Sequence, residues 1–362
     1  MTKFNTLMIL PYLPLSDSLQ LDNILIWSYK HKKDLLIRDD FLRYFIGQLL
    51  SCYKLQNGVS LDNPSIISVR NANFNNPSRK TVNTIEAIKN ILLFAGVLEI
   101  NSWNVITSDN FEVFYQRFNL GNNNIATQGG ALHRITTGGH TLNRISFIKP
   151  EHINIPLKLQ FNSTIVSALI DCYLNKDTDI NKNQIIQSLN PFFDAYRNSH
   201  ELSRQTRLLN LVMAFEMLFG RSKREHFRFD IERLSSLGAV TQQKYSYPII
   251  NTTNGDMIDI LDLTYNQIWA EEFYKLRHRI IHGNTISRSD FEFYDVLGLL
   301  KKHDPHFYIA VNFYIVCVLN KLRSLGYTSI PHYYINSGKS NNILSKNISG
   351  IVNEQFQITR VI

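Results

Sequence analysis

The apolar residues of this chain change their spacing once, between Pro150 and Pro156, and that change divides what its two parts can fold into. Beyond residue 157, apolar side chains recur at three- and four-residue steps, the pattern of helices that bury one face. Segments 162–174, 183–199, 204–219, 227–237, 258–282, 290–302 and 307–325 are therefore expected as helices separated by short polar breaks. Before residue 150 the pattern is mixed. Runs at 6–10, 23–29 and 65–69 read as strands, as does 101–118, which is rich in aromatic and β-branched residues. Stretches 40–50 and 84–96 read as helices, the second with Ile85, Ile88, Leu92 and Ala95 on one face and Gly96 as its stop. Segments 71–80 and 121–139, rich in small and polar residues, are expected as loops, with turns at Gly129 with Gly130 and at Gly138 with Gly139. Proline disfavours helix at the residue before it, which places the boundary at 149–156. The expected architecture is an α+β domain over 1–150, an all-α helical bundle over 155–330 and a C-terminal tail over 331–362.

A chain of 362 residues is long for one compact domain and comfortable for two. Hydrophobic residues at 44% supply a core and argue against disorder. No run reads as a membrane span, and the N-terminal residues read as no secretory signal. Cys52, Cys172 and Cys317 are odd in number, far apart and set in apolar stretches. The expectation is a cytoplasmic protein with reduced thiols and no membrane partner. A net charge of +8 suits a polyanionic partner without requiring one. The tightest cationic group, Arg221, Lys223, Arg224 and Arg228, follows a helix end expected at Gly220. There it serves either the negative pole of that helix or an RNA backbone.

The chemistry concentrates in Leu276, Arg277, His278, Arg279, Ile280, Ile281, His282, Gly283 and Asn284, at the end of an amphipathic helix. Arginine is a permanently charged, forked phosphate ligand, and histidine exchanges a proton near neutral pH. Together they suit cleavage of an RNA phosphodiester. At about 100° per residue, Arg277 and His282 lie roughly 140° apart and His278 and His282 about 40° apart. Gly283 stops the helix and leaves His282 in its last turn. Plainer roles compete: Arg277 bridging Glu271 or Glu272, His282 as a cation at a helix C-terminus, and His278 with His282 as a metal pair that lacks an evident third ligand. Tyr274, Phe291, Phe293 and Tyr294 serve either base stacking or the core. No nucleophile elbow, Cys-x-x-Cys, dinucleotide fingerprint or Asp/Asn-rich metal loop is present.

Two blocks resemble the HEPN superfamily of helical domains, most closely the Apea-like HEPN group associated with bacterial anti-phage defence. One is the apolar run 207–219, which encloses Glu216; the other is 269–276 leading into Arg277 through Gly283. The resemblance implies a metal-independent endoribonuclease without cofactors, acting as a toxin-like effector on tRNA or mRNA and leaving a 2′,3′-cyclic phosphate. It implies a homodimer whose two-fold axis brings a second His282 to a composite site. Arg277 would hold the phosphate, His282 would act as general base or acid, and His278 would orient the motif or carry a second proton. Glu216, paired with Arg277 or Arg279, and Asn284 would support the site, with Arg279, Lys275, Arg221, Lys223 and Arg224 along the RNA. The N-terminal domain would sense a phage-derived trigger. The alternative is a HEPN-like domain that only binds RNA or dimerises.

Overall fold

A computed structural model describes residues 5–29 apart from 16 and 22, then 46–47, 50, 53–55, 64–69, 77–99, 106–120, 124–128, 134–136, 145–147, 159, 161–197, 202–235, 244–250, 257–293 and 304–330. The chain divides into two compact units after Phe161, with 97–103 grouped with the second. The expected helix at 40–50 lies largely outside the described residues, and Cys52, both glycine pairs and the tail 331–362 lie wholly outside them.

The first unit is built on an antiparallel sheet. Strands β1 (Asn5–Leu10), β2 (Leu19–Leu21), β3 (Ile24–Ser28), β5 (Ser65–Val69), β6 (Phe114–Leu120), β7 (Asn124–Gln128) and β8 (Arg134–Thr136) lie in the order β2-β3-β5-β1-β6-β7-β8. A short parallel pair, β4 (Tyr53–Leu55) with β9 (Ile145–Phe147), stands apart. The unbroken apolar run Leu7, Met8, Ile9 and Leu10 occupies a central strand and is buried on both faces. Segment 121–139, expected as loop, carries β7 and β8. In that pair Ile125 lies across from Ile135.

Helix α1 (Arg79–Glu99) buries Ile85, Ile88, Leu92 and Ala95 as the spacing predicts. Gly96 does not end it. A Cβ there would stand 3.2 Å from the Phe111 ring and 3.3 Å from Ile106, so the glycine allows close packing. By length and composition this helix alone, among the described residues, would suffice to cross a membrane, against the expectation of none. Packing within the protein accounts for its apolar character, since Ile91, Leu93 and Phe94 are also fully buried. Of the strand expected at 101–118, the described part is β from Phe114 on, and Ser108–Phe111 is a 3₁₀ turn.

The second unit is mostly helical, and several of its helices begin at recognisable caps. Asn162 caps α2 (Ser163–Leu174), Asp179 caps α3 (Ile180–Ala195) and Ser203 caps α4 (Arg204–Phe219). Gly220, at φ +71°, ends α4. Helices α5 (Arg224–Ser235), α6 (Tyr265–Ile281) and α7 (His306–Ser324) complete the set among the described residues. Aromatic rings fill the centre. Trp269 stacks on Phe273 and Phe313 at centroid distances of 4.9 and 4.4 Å, and Phe215 meets Phe227 edge-on. Cys172 and Cys317 are buried and unlinked.

This unit is not all-α. Strands β10 (Lys244–Ile250) and β11 (Met257–Thr264) form an antiparallel ribbon, so the helix expected at 258–282 begins only at Tyr265. Thr264 and Gln267 form a reciprocal capping box that fixes the start, and upstream Leu263, Leu261 and Ile260 pair with Tyr245, Tyr247 and Pro248 instead. The helix expected at 290–302 is likewise absent at its start. Arg288–Phe291 is a 3₁₀ turn, and β12 (Glu292–Phe293) pairs with β13 (Asp304–Pro305).

Candidate active site at the end of helix α6

Helix α6 stops where Gly283 reverses the backbone at φ +68°. Asn284 N–H donates to the Arg279 carbonyl at 3.0 Å, Gly283 N–H to that of Ile280 at 3.2 Å, and His282 N–H to that of His278 at 3.1 Å. This terminus leaves His282 as the exposed C-cap residue beside the negative pole of the helix. His278, one turn earlier, lies under it, with ring centroids 4.1 Å apart at 49°. Burial pushes the His278 pKa below the ordinary histidine value, followed by the positive charges of His282, Arg277 and Arg224. His278 is therefore held toward its neutral form.

Arg277 faces helix α4. Its Nη2 lies 3.3 Å from Glu216 Oε1, and its guanidinium sits 5.0 Å from the centre of the Tyr274 ring. Tyr274 OH donates to the same carboxylate oxygen at 3.1 Å and to the Ser222 carbonyl. Burial, and then Glu216, push the phenol up to about 12, so it stays a donor. Of the two partners considered for Glu216, Arg277 is the one in place. Neither Glu271 nor Glu272 takes Arg277. Arg277 and His282 share no hydrogen bond among the described residues, and His278 feels the charge of both.

The surrounding cations differ from expectation. Arg221 grips buried Asp230 through two hydrogen bonds, and Arg224 and Arg228 converge on Glu271, which is 0% exposed. Arg279 donates to both oxygens of Asp290, at 2.6 and 3.2 Å, and to the Thr285 carbonyl. That pairing pulls Asp290 down to about 2. Lys275 bridges Glu272 at 2.9 Å and Tyr247 OH at 3.1 Å. Four of the five candidate RNA-binding cations are therefore held by the chain's own carboxylates; a phosphate would have to displace or share those partners. Lys223 alone of the five is exposed without an ion pair among the described residues.

Of the flanking aromatics, Tyr274 and Phe293 are buried, Phe291 is half-buried and Tyr294 lies outside the described residues. Asn284 is exposed and contributes its backbone N–H to the helix stop. No group of three His, Cys, Asp or Glu side chains suited to a metal ion forms among the described residues. Glu271, Asp230 and the place of Arg224 beside His278 are not foreseen from sequence. Glu271 could have been suspected, since it lies between Trp269 and Phe273 on a helix buried along most of its length. Compared with protein families, curated proteins and solved structures, the chain has no match in any of the three.

Proposed function

We propose that this protein is a HEPN-like, metal-independent endoribonuclease that works as a homodimer, as a toxin-like effector of anti-phage defence. The observation that carries the proposal is the close, tilted pair of His278 and His282 rings at an exposed helix end, with Arg277 and Arg224 adding positive charge that His278 feels. A neutral imidazole accepts the 2′-hydroxyl proton, the 2′-oxygen attacks phosphorus, and an imidazolium protonates the departing 5′-oxygen, leaving a 2′,3′-cyclic phosphate. Arg277 stabilises the charge that gathers on the non-bridging oxygens, sharing its guanidinium with Glu216 until RNA arrives.

The placement of the two rings on one helix face also supports a second copy. In-line displacement needs the base and the acid on opposite sides of the phosphorus. His278 and His282 lie one helical turn apart on one face of α6, with ring centroids 4.1 Å apart. The adjacent rings therefore serve one side, and a second His282 across a two-fold axis serves the other. Met213, Met217 and Ile281 are 45, 39 and 51% exposed. By helix geometry they flank the Glu216–Arg277 bridge, an apolar surface suited to such a contact.

The purified protein should cleave RNA in EDTA and yield cyclic phosphate ends. Arg277→Ala and His282→Ala should each abolish the cuts while retaining the wild-type circular dichroism and dimer mass. The competing scaffold reading draws on the Glu216–Arg277 bridge, which gives the arginine a structural partner. It would be favoured if both variants bind RNA as the wild type does and neither they nor the wild type cleaves.

A further inference from the structure

On the other side of α6 from Arg277, a pocket of about 320 Å³ opens between that helix, the 288–293 segment and the first residue of α7. Its size is at the lower end for small-molecule sites, room for one compact ring system and not for a length of polymer. The lining combines ring and apolar surface from Leu276, Phe293 and His306 with polar groups from Asn284, Ser289 and Glu292. Its cations, Lys275 and Arg279, are already matched by Glu272 and Asp290, so the pocket offers no surplus positive charge to draw a phosphate.

The unfilled hydrogen-bonding capacity lies elsewhere. His306 is 4% exposed and lines the pocket, yet its Nδ1 has no hydrogen-bond partner among the described residues. Phe273 and Phe293 pack against its ring at 5.9 and 5.6 Å. Burial holds the imidazole down to about 4, so it is neutral at pH 7 and presents one donor and one acceptor. Glu292 lines the same pocket and makes no ion pair among the described residues, leaving a carboxylate that accepts N–H donors. A flat, uncharged heterocycle with N–H donors and ring-nitrogen or carbonyl acceptors answers this set; a phosphate or a plain hydrocarbon does not.

We infer that this pocket binds a single nucleobase, with His306 and Glu292 reading its hydrogen-bonding edge and Phe293 and Leu276 bounding its ring. Asn284 belongs both to this lining and to the turn that follows His282. A base held here would accordingly neighbour a phosphate at the helix end, so the inference rests on the proposed nuclease and extends it by a specificity subsite. The same chemistry would also admit a free nucleoside, and the two sources are separable by experiment.

The four nucleosides and their monophosphates are titrated into the full chain, with ligand-observed NMR and thermal shift as readouts. Saturable binding of at least one nucleoside is expected, weakened about tenfold or more in Glu292→Gln and in the space-filling Ser289→Trp. In cleavage assays the wild type should prefer one base beside the cut, and Glu292→Gln should relax that preference. A nucleoside that binds without competing with RNA would assign the pocket to a free ligand. Absence of binding by every nucleoside up to millimolar concentration, or undiminished binding in Ser289→Trp, would overturn the inference. Cleavage without base preference and without nucleoside binding would sink the pocket and spare the nuclease. Nucleoside binding in a protein that never cleaves RNA would do the reverse.

Discussion

Glu271→Gln tests the physics around the site most sharply. The carboxylate is 0% exposed and holds Arg224 and Arg228, whose side chains are 29 and 16% exposed. Glutamine keeps the shape and an acceptor but removes the charge, leaving two largely desolvated guanidinium groups facing a neutral amide. Breaking a buried pair from one side costs about 3–5 kcal/mol. At roughly 2–4 °C per kcal/mol for a unit of this size, the melting temperature should fall on the order of 10 °C. Urea unfolding at pH 7 measures the loss. Replacing all three residues by methionine removes the charges together, so that variant should return to within about 1 kcal/mol of the wild type. A loss below about 1 kcal/mol for Glu271→Gln alone would refute the reasoning, because the guanidinium groups would then be well solvated without their partner.

Burial depresses His306 to about 4, so its folded form favours the neutral ring. Its contribution is complete above the unfolded value near 6.5 and is lost as pH falls from there toward 4; that loss, about 3 kcal/mol, should be largely absent in His306→Phe when unfolding is followed across this window. A Cβ added at Gly283 would meet nothing within 4 Å, but the residue sits at φ +68°, so Gly283→Ala should cost about 1–2 kcal/mol through backbone strain alone, read from urea unfolding. Arg224 helps hold His278 below its ordinary pKa, and Arg224→Gln should therefore move the acid limb of RNA cleavage to higher pH, which a pH–rate profile would register.

Local signals made most helices of the second unit legible in the sequence. Gly220 and Gly283 sit where the helix ends fall, because each acts through its own backbone neighbours. The β10–β11 ribbon was hidden because Met257–Thr264 carries apolar residues at spacings that also suit a helix, and only the Thr264–Gln267 box separates the two. At the site, the nearness of His278 and His282 follows from four residues of helix and could be read directly. The engagement of the cations could not. Glu271 lies 43 residues from Arg228 in sequence, so nothing local marks the pair. The same holds for Glu216 and Tyr274, whose contact spans 58 residues.

The central claim is that the Arg277 guanidinium and the His282 imidazole act on one phosphate. Binding of a 2′-O-methyl RNA oligonucleotide, which cannot cleave, should move the imidazole NMR resonances of His282 and His278 to saturation. Arg277→Gln should weaken that binding about tenfold or more while the free-state resonances of both rings remain near their wild-type positions. Imidazole resonances that ignore the oligonucleotide, or an affinity unchanged by Arg277→Gln, would contradict the claim.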